Sequence, residues 1–232
     1  MCGRFIVSYT YAELVSFMSS TFDIFDLDPS IEAPRYNIAP GTEVLSIIND
    51  GDNYRAGNLI WGFIPFFAKE SSTGYKMINA RVEGIERKVS FKDSFLHKRC
   101  LILADGYYEW KKVLNQKQPF LIKNRDDKIF FFAGLWSKYI DKDNKVIYST
   151  TILTKEASNE LVDIHDRMPI ILDEDNAKLW LDKDVQEVEE LFSILDTSNQ
   201  QNITKKRVSE YVNSVKNSSS KCIEEYLDER LI

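Results

Sequence analysis

An α+β fold with a mixed, largely antiparallel, curved sheet is predicted from three observations. Short apolar or alternating segments crowd the middle of the chain, each bounded by turn residues. Those segments do not alternate regularly with helical ones, as a parallel βα architecture would require. Patterns of helical period flank the strand-rich middle. With 232 residues, 44% hydrophobic and 12% aromatic, the chain can bury a substantial core. No linker divides it, so residues 1–232 read as a single domain.

Taken in order, Thr10-Tyr11-Ala12-Glu13 fits a capping box, with Leu14, Phe17, Met18 and Thr21 at helical spacing behind it, which predicts a helix over residues 11–21. Residues 23–43 carry Pro29, Pro34 and Pro40 and read as extended or irregular. Val44–Ile48 reads as a strand leading into a turn at Asn49–Asp52. Further strands are expected at Leu59–Phe63, Cys100–Ala104, Tyr107–Trp110, Phe120–Lys123, Ile129–Leu135 and Val146–Leu153. Asn124–Asp127 and Asp141–Asn144 read as hairpin loops. Helices are expected at Ala157–Val162, at Glu174–Leu181 behind Asp173, and at Val185–Leu195 behind Asp184. Residues 223–231 read as a short helix or an irregular end.

The formal net charge is −6. The stretch Asp173–Glu190 holds eight acids and two bases and accounts for all of it. Arg81–Cys100 holds six bases and three acids, which reads as a local basic face or as solvated surface. A pI near 5.1 argues against binding nucleic acid by charge alone. Cys2, Cys100 and Cys222 are odd in number and widely spaced, so they form no disulfide framework and suit a reducing cytosol. With two histidines they make no metal-ligand pattern, and no metal or cofactor is expected. No signal peptide or membrane-length apolar run is visible, which predicts a soluble cytoplasmic protein.

Four short stretches could carry chemistry. Cys2 directly follows the initiator residue; if Met1 is removed, Cys2 presents a thiol and an α-amine on adjacent carbons. Such an amine has a reference pKa of about 7.7–8.0 and attacks an aldehyde to give an imine, on which the thiol closes to a thiazolidine. In Ala104–Trp110, a strand puts Tyr107 and Glu109 on one face and Tyr108 and Trp110 on the other. Glu109 is then either a desolvated acid–base group or a solvent-facing carboxylate that pairs with Lys111. His165 in Asp163–Pro169 stands between two acids, as an acid–base group or a structural cap; His97 reads as surface. In Asn79–Glu83, Asn79 can hold a substrate oxygen, and Arg81 on the same strand face can bind phosphate.

The order of these pieces is specific. Met-Cys-Gly-Arg is followed by YNIAP (36–40), WGFIP (61–65), INARVE (78–83), SFKDSF (90–95) and RCLILADGYYEWKK (99–112). QPFLI (118–122), AGLW (133–136), TILT (151–154), DIHDRMP (163–169) and VSEYVN (208–213) come after. From Cys2 to about Asn217 this resembles the SOS response-associated peptidase family, whose members process abasic sites. The resemblance implies a pseudo-barrel with peripheral helices, in which the mature Cys2 captures the opened sugar of an abasic site in single-stranded DNA. It implies Cys2, Asn79, Glu109 and His165 as catalytic residues, and DNA contacts from Arg4, Asn37, Pro40, Phe66, Arg81, Trp110 and Thr154. It also implies self-removal of Met1, a hydrolase or lyase activity, and a monomer whose partner is abasic single-stranded DNA. Phe66 and Phe67 stand where relatives often carry a tryptophan wedge. The competing readings are an N-terminal-nucleophile glutamine amidotransferase, which also begins Met-Cys-Gly, and a non-catalytic DNA-binding module.

Overall fold

The computed structural model describes residues 2–113, 116–126, 128–196 and 203–226. Strand β1 (Phe5–Val7) leads to helix α1 (Tyr11–Phe22), which Thr10 starts as expected. The Thr10 N–H donates to Glu13 Oε2 at 2.7 Å and the Glu13 N–H donates to Thr10 Oγ1 at 3.4 Å. Strands β2 (Arg35–Ile38), β3 (Glu43–Asn49), β4 (Tyr54–Trp61) and β5 (Asn79–Arg81) follow. A short helix α2 (Lys92–His97) leads into β6 (Arg99–Ala104), β7 (Gly106–Val113), β8 (Gln116–Asn124), β9 (Phe130–Ile140) and β10 (Val146–Glu156). The last elements are β11 (Arg167–Pro169), β12 (Ile171–Leu172), α3 (Glu174–Leu181), α4 (Val188–Asp196) and β13 (Ile203–Arg207).

Five of these strands close on themselves. β10 pairs with β4, β4 with β3, β3 with β6, β6 with β9, and β9 with β10 again. Only the β10–β4 contact in this ring is parallel. β5 and β11 add to β10, and β12 adds to β9. The second sheet is antiparallel throughout, in the order β13-β8-β7-β1-β2. It packs on the barrel through aromatic edges: Phe5 meets Trp61 at 5.1 Å and Phe132 at 5.6 Å, and Tyr107 meets Phe132 at 6.0 Å. The α+β pseudo-barrel expected from the sequence is thus the observed architecture.

Several local expectations are corrected. Ala157–Val162 is a turn rather than a helix. The Ala157 N–H donates to Asp166 O, and Lys111 and Lys205 hold the Asp163 carboxylate at 2.8 and 2.6 Å, so tertiary ties shape the segment. The helix expected from Val185 begins at Val188, because Asp184 lies in a turn that donates its N–H to Asp182 Oδ1. The loop expected at residues 124–127 joins no hairpin, since β8 and β9 belong to different sheets; Asp127 lies outside the described residues. Of the helix considered over 223–231, the part beyond Tyr226 lies outside the described residues, and Cys222–Ile223 end a 3-10 turn. The loop expected at Asp141–Asn144 does join a hairpin, between β9 and β10.

Two buried charges lock the frame. Arg99 donates from Nε to Trp180 O (2.6 Å), from Nη1 to Leu96 O (2.6 Å) and from Nη2 to Asp182 O. One guanidinium thereby satisfies carbonyls at the ends of both α2 and α3. Asp105, where the chain crosses from the barrel to the second sheet, accepts the Ser8 N–H at 2.7 Å and the Ser8 hydroxyl, with Lys123 Nζ at 3.3 Å. This clamp ties the exit of β1 to the start of β7. Removing one member of a buried pair strands the other, so Asp105→Ala is expected to lower the unfolding free energy by about 3–5 kcal/mol in urea titrations.

Candidate active site

The N-terminal strand runs between β7 and β2, inside the second sheet and one strand from its edge. Pairing of Phe5 with Tyr107, and donation of the Tyr108 N–H to Arg4 O at 2.9 Å, set the end of the chain against the Tyr107–Glu109 face of β7. Cys2 is 0% exposed in the chain that retains its initiator residue. From the barrel side, Asn79 Nδ2 donates to Cys2 O at 2.8 Å. Asn79 opens β5, opposite Ile152 of β10. The Cys2 thiol faces Arg4 O at 3.8 Å, and burial, then the nearby Glu109 carboxylate, hold its pKa well above the ordinary thiol value.

Glu109 is 4% exposed. Burial raises its pKa above the usual carboxylate range, and the proximity of His165 pulls the other way. The acid is desolvated, and Lys111 pairs instead with Asp163. His165 lies in the turn before β11. Its Nδ1 accepts the Arg167 N–H at 3.0 Å and stands 2.8 Å from Asp166 Oδ1. These contacts suit different protonation states: a neutral Nδ1 takes the amide, and a protonated one donates to the carboxylate. Arg167 fixes this turn to the segment after β5, reaching Glu83 with a fork at 2.7 and 2.9 Å and Thr154 O at 2.6 Å.

The structure therefore brings Cys2, Asn79, Glu109 and His165 to one seam between the barrel and the second sheet. Two buried polar atoms there have no partner among the described residues: Asn79 Oδ1 and the Tyr107 hydroxyl. Burial, then the Cys2 and Glu109 charges, raise the Tyr107 pKa, so that hydroxyl stays a donor. Orphaned polar groups beside a thiol and a desolvated acid mark a site built to receive polar atoms.

Beside the seam opens a cavity of about 440 Å³ lined by Arg4, Glu109, Trp110, Lys117, His165 and Asn213. Nothing local in the sequence singles out Lys117 or Asn213, because a hairpin and a fold-back of the C-terminal segment bring them there. Of the residues expected to contact DNA, Arg4 and Trp110 line this cavity. Arg4 also donates to Asn37 Oδ1 (2.6 Å), Val212 O (3.0 Å) and Asn213 O (3.3 Å). Asn37 donates to Ser214 O (3.0 Å) and Asn217 O (2.7 Å), so its amide anchors the C-terminal segment. Pro40 stands in the turn after β2, and Arg81 is exposed at the end of β5. Phe66 is 61% exposed, edge-on to Phe67 at 5.2 Å, with Lys98 Nζ 5.9 Å from its ring. Thr154 is fully buried and bonds Ala80 O at 3.4 Å, holding β5 on β10. A separate cavity of about 340 Å³ beside Leu14 and Arg35 contains none of these groups. Among the described residues no cluster of three or more His, Cys, Asp or Glu could hold a metal, and no helix is long and apolar enough to cross a membrane.

Glu109 gives the site a pH signature. A carboxyl with a raised native pKa binds its proton more tightly folded than unfolded. Its stabilisation is complete below the unfolded-state pKa and is lost as pH rises through the native one. Glu109→Gln keeps the shape and removes the charge. It is expected to melt above the wild type at about pH 8, with the gap closing toward about pH 4, in thermal unfolding followed by circular dichroism.

A family profile described as SOS response associated peptidase (SRAP) matches residues 1–215. The abasic site processing protein YoqW of Bacillus subtilis is 40% identical over 228 residues, covering 97% of this chain and 100% of that protein. The abasic site processing protein YedK of Escherichia coli is 34% identical over 188 residues, covering 80% of this chain and 81% of that one. A crystallised protein from Bacteroides thetaiotaomicron has the same fold, with a TM-score of 0.84 over 97% of this chain and all of its own, at 24% identity. By the span of the profile match and the identity to these relatives, the chain belongs to the SOS response associated peptidase family.

Proposed function

We propose that the protein processes abasic sites in single-stranded DNA by forming a covalent thiazolidine through Cys2, once Met1 has been removed. The observation that carries this reading is the seam itself. The Cys2 carbonyl is held by Asn79, the Glu109 carboxylate lies close enough to its thiol to act on it electrostatically, and Glu109 neighbours His165 beside an open cavity with two cationic residues.

Hydrolysis of the Met1–Cys2 amide frees an amine about as basic as the medium, so a large share is neutral and nucleophilic. The amine adds to the C1′ aldehyde of the ring-opened sugar. The carbinolamine then loses water to give an imine. Glu109, whose neutral form burial favours, supplies in that form the proton that the departing hydroxyl needs. As a carboxylate it takes the proton from the Cys2 thiol when sulfur adds to the imine carbon and closes the five-membered ring. The net change is one C–N and one C–S bond formed and one water released. Asn79 Oδ1, buried and unpartnered, suits a sugar hydroxyl donor. His165, which lines the cavity near Glu109, suits transfer of the proton that opens the sugar ring. No cofactor enters this scheme.

The test is a denaturing gel after mixing protein with abasic single-stranded DNA. Wild type is expected to give a shifted band and Cys2→Ser none. Glu109→Gln is expected to slow band formation by about 10²–10⁴-fold. A shifted band from Cys2→Ser at the wild-type rate would contradict the proposal. Ammonia release from glutamine without any adduct would favour the amidotransferase reading.

A further inference from the structure

We propose that Asn213 and Lys117 form a phosphodiester subsite at the cavity mouth, which holds the strand beside the abasic nucleotide. This deepens the proposed function and rests on it.

The C-terminal segment is built onto the site. The 3-10 turn Glu210–Asn213 is capped by Ser209, whose hydroxyl accepts the Tyr211 N–H at 3.2 Å. Beneath it Val208, Val212 and Cys222 form a small core with Ile6, Tyr108 and Leu121. Arg4 and Asn37 grip its carbonyls. Asn213 is therefore an exposed side chain on an immobilised backbone. Trp110 Nε1 donates to Asn213 Oδ1 at 2.7 Å. An indole N–H is a donor only, so it fixes which end of the amide faces Trp110. The NH₂ group is turned away from the indole and has no protein partner among the described residues. Asn213 thus offers the cavity an oriented pair of donors.

The surrounding charge selects what those donors take. Arg4 and Lys117 contribute two cations, and the neighbouring carboxyl, Glu109, is biased toward its neutral form by burial. The mouth is locally cationic on a chain of net charge −6. Oriented N–H donors between cations suit a phosphodiester oxygen, and that group recurs on both sides of every abasic position.

The test uses full-length protein. In a Cys2→Ala background, affinity is measured for a single strand carrying a tetrahydrofuran abasic analogue; with Cys2 present, crosslinking is followed against DNA concentration. Asn213→Asp keeps the oxygen facing Trp110 and replaces the NH₂ donors with a second carboxylate oxygen. It is expected to weaken binding about tenfold or more, and to raise the half-saturating DNA concentration far more than it lowers the saturated rate. Wild-type binding by this variant would overturn the proposal. Lys117→Gln, at an exposed strand position, is expected to reduce the slope of log affinity against log salt by about 0.7; an unchanged slope overturns the proposal even if Asn213→Asp fails to fold. Absence of any wild-type adduct, with both binding effects present, would instead count against the covalent chemistry.

Discussion

The site depends on one constraint: the first strand of the chain must lie inside a sheet rather than at its edge. β1 has β2 on one side and β7 on the other, so three residues of strand are enough to hold the terminus in register. The Asp105 clamp closes one end of that register, and the Asn79 bond to Cys2 O closes the other. Without this double hold a terminal residue would fray, and an amine and a thiol could not be kept at a fixed distance from Glu109. Burial does the rest. The same desolvation raises the pKa of the Cys2 thiol and that of the Glu109 carboxyl, favouring the neutral form of each.

Charge is distributed to match. The acidic excess lies in Asp173–Glu190, which forms α3 and the approach to α4 on the barrel. The cavity draws on Arg4 from β1 and Lys117 from β8. A chain can carry a negative total and still present a positive mouth, because screening over roughly 8–10 Å lets the local groups dominate. A covalent trap also needs little affinity before reaction, since the bond supplies the lifetime of the complex.

Much of this was legible in the sequence, and the failures share a cause. The capping box at Thr10, the Asp173 cap and the alternation of Tyr107 and Glu109 are written in neighbouring residues, and each holds. Ala157–Val162 reads as a helix locally but is shaped by Lys111 and Lys205 from distant strands. Strand β5 is only three residues long and exists because β10 offers an edge to it. The 124–127 loop has the composition of a hairpin, yet the chain changes sheets there. Asn213 sits in the VSEYVN stretch, and its orientation comes from Trp110, more than a hundred residues earlier in the chain. The family resemblance implies Arg4, Asn37 and Trp110 as DNA contacts, and their side chains also fasten the C-terminal segment that completes the cavity wall.

The central claim is that both functional groups of Cys2 enter the product. Tandem mass spectrometry of the N-terminal peptide from a nuclease-treated adduct tests it most directly. The account predicts a peptide that begins at Cys2, carries the sugar remnant, and resists both thiol alkylation and amine labelling. A peptide that retains Met1, or a remnant attached to a lysine with the Cys2 thiol still alkylatable, would contradict it.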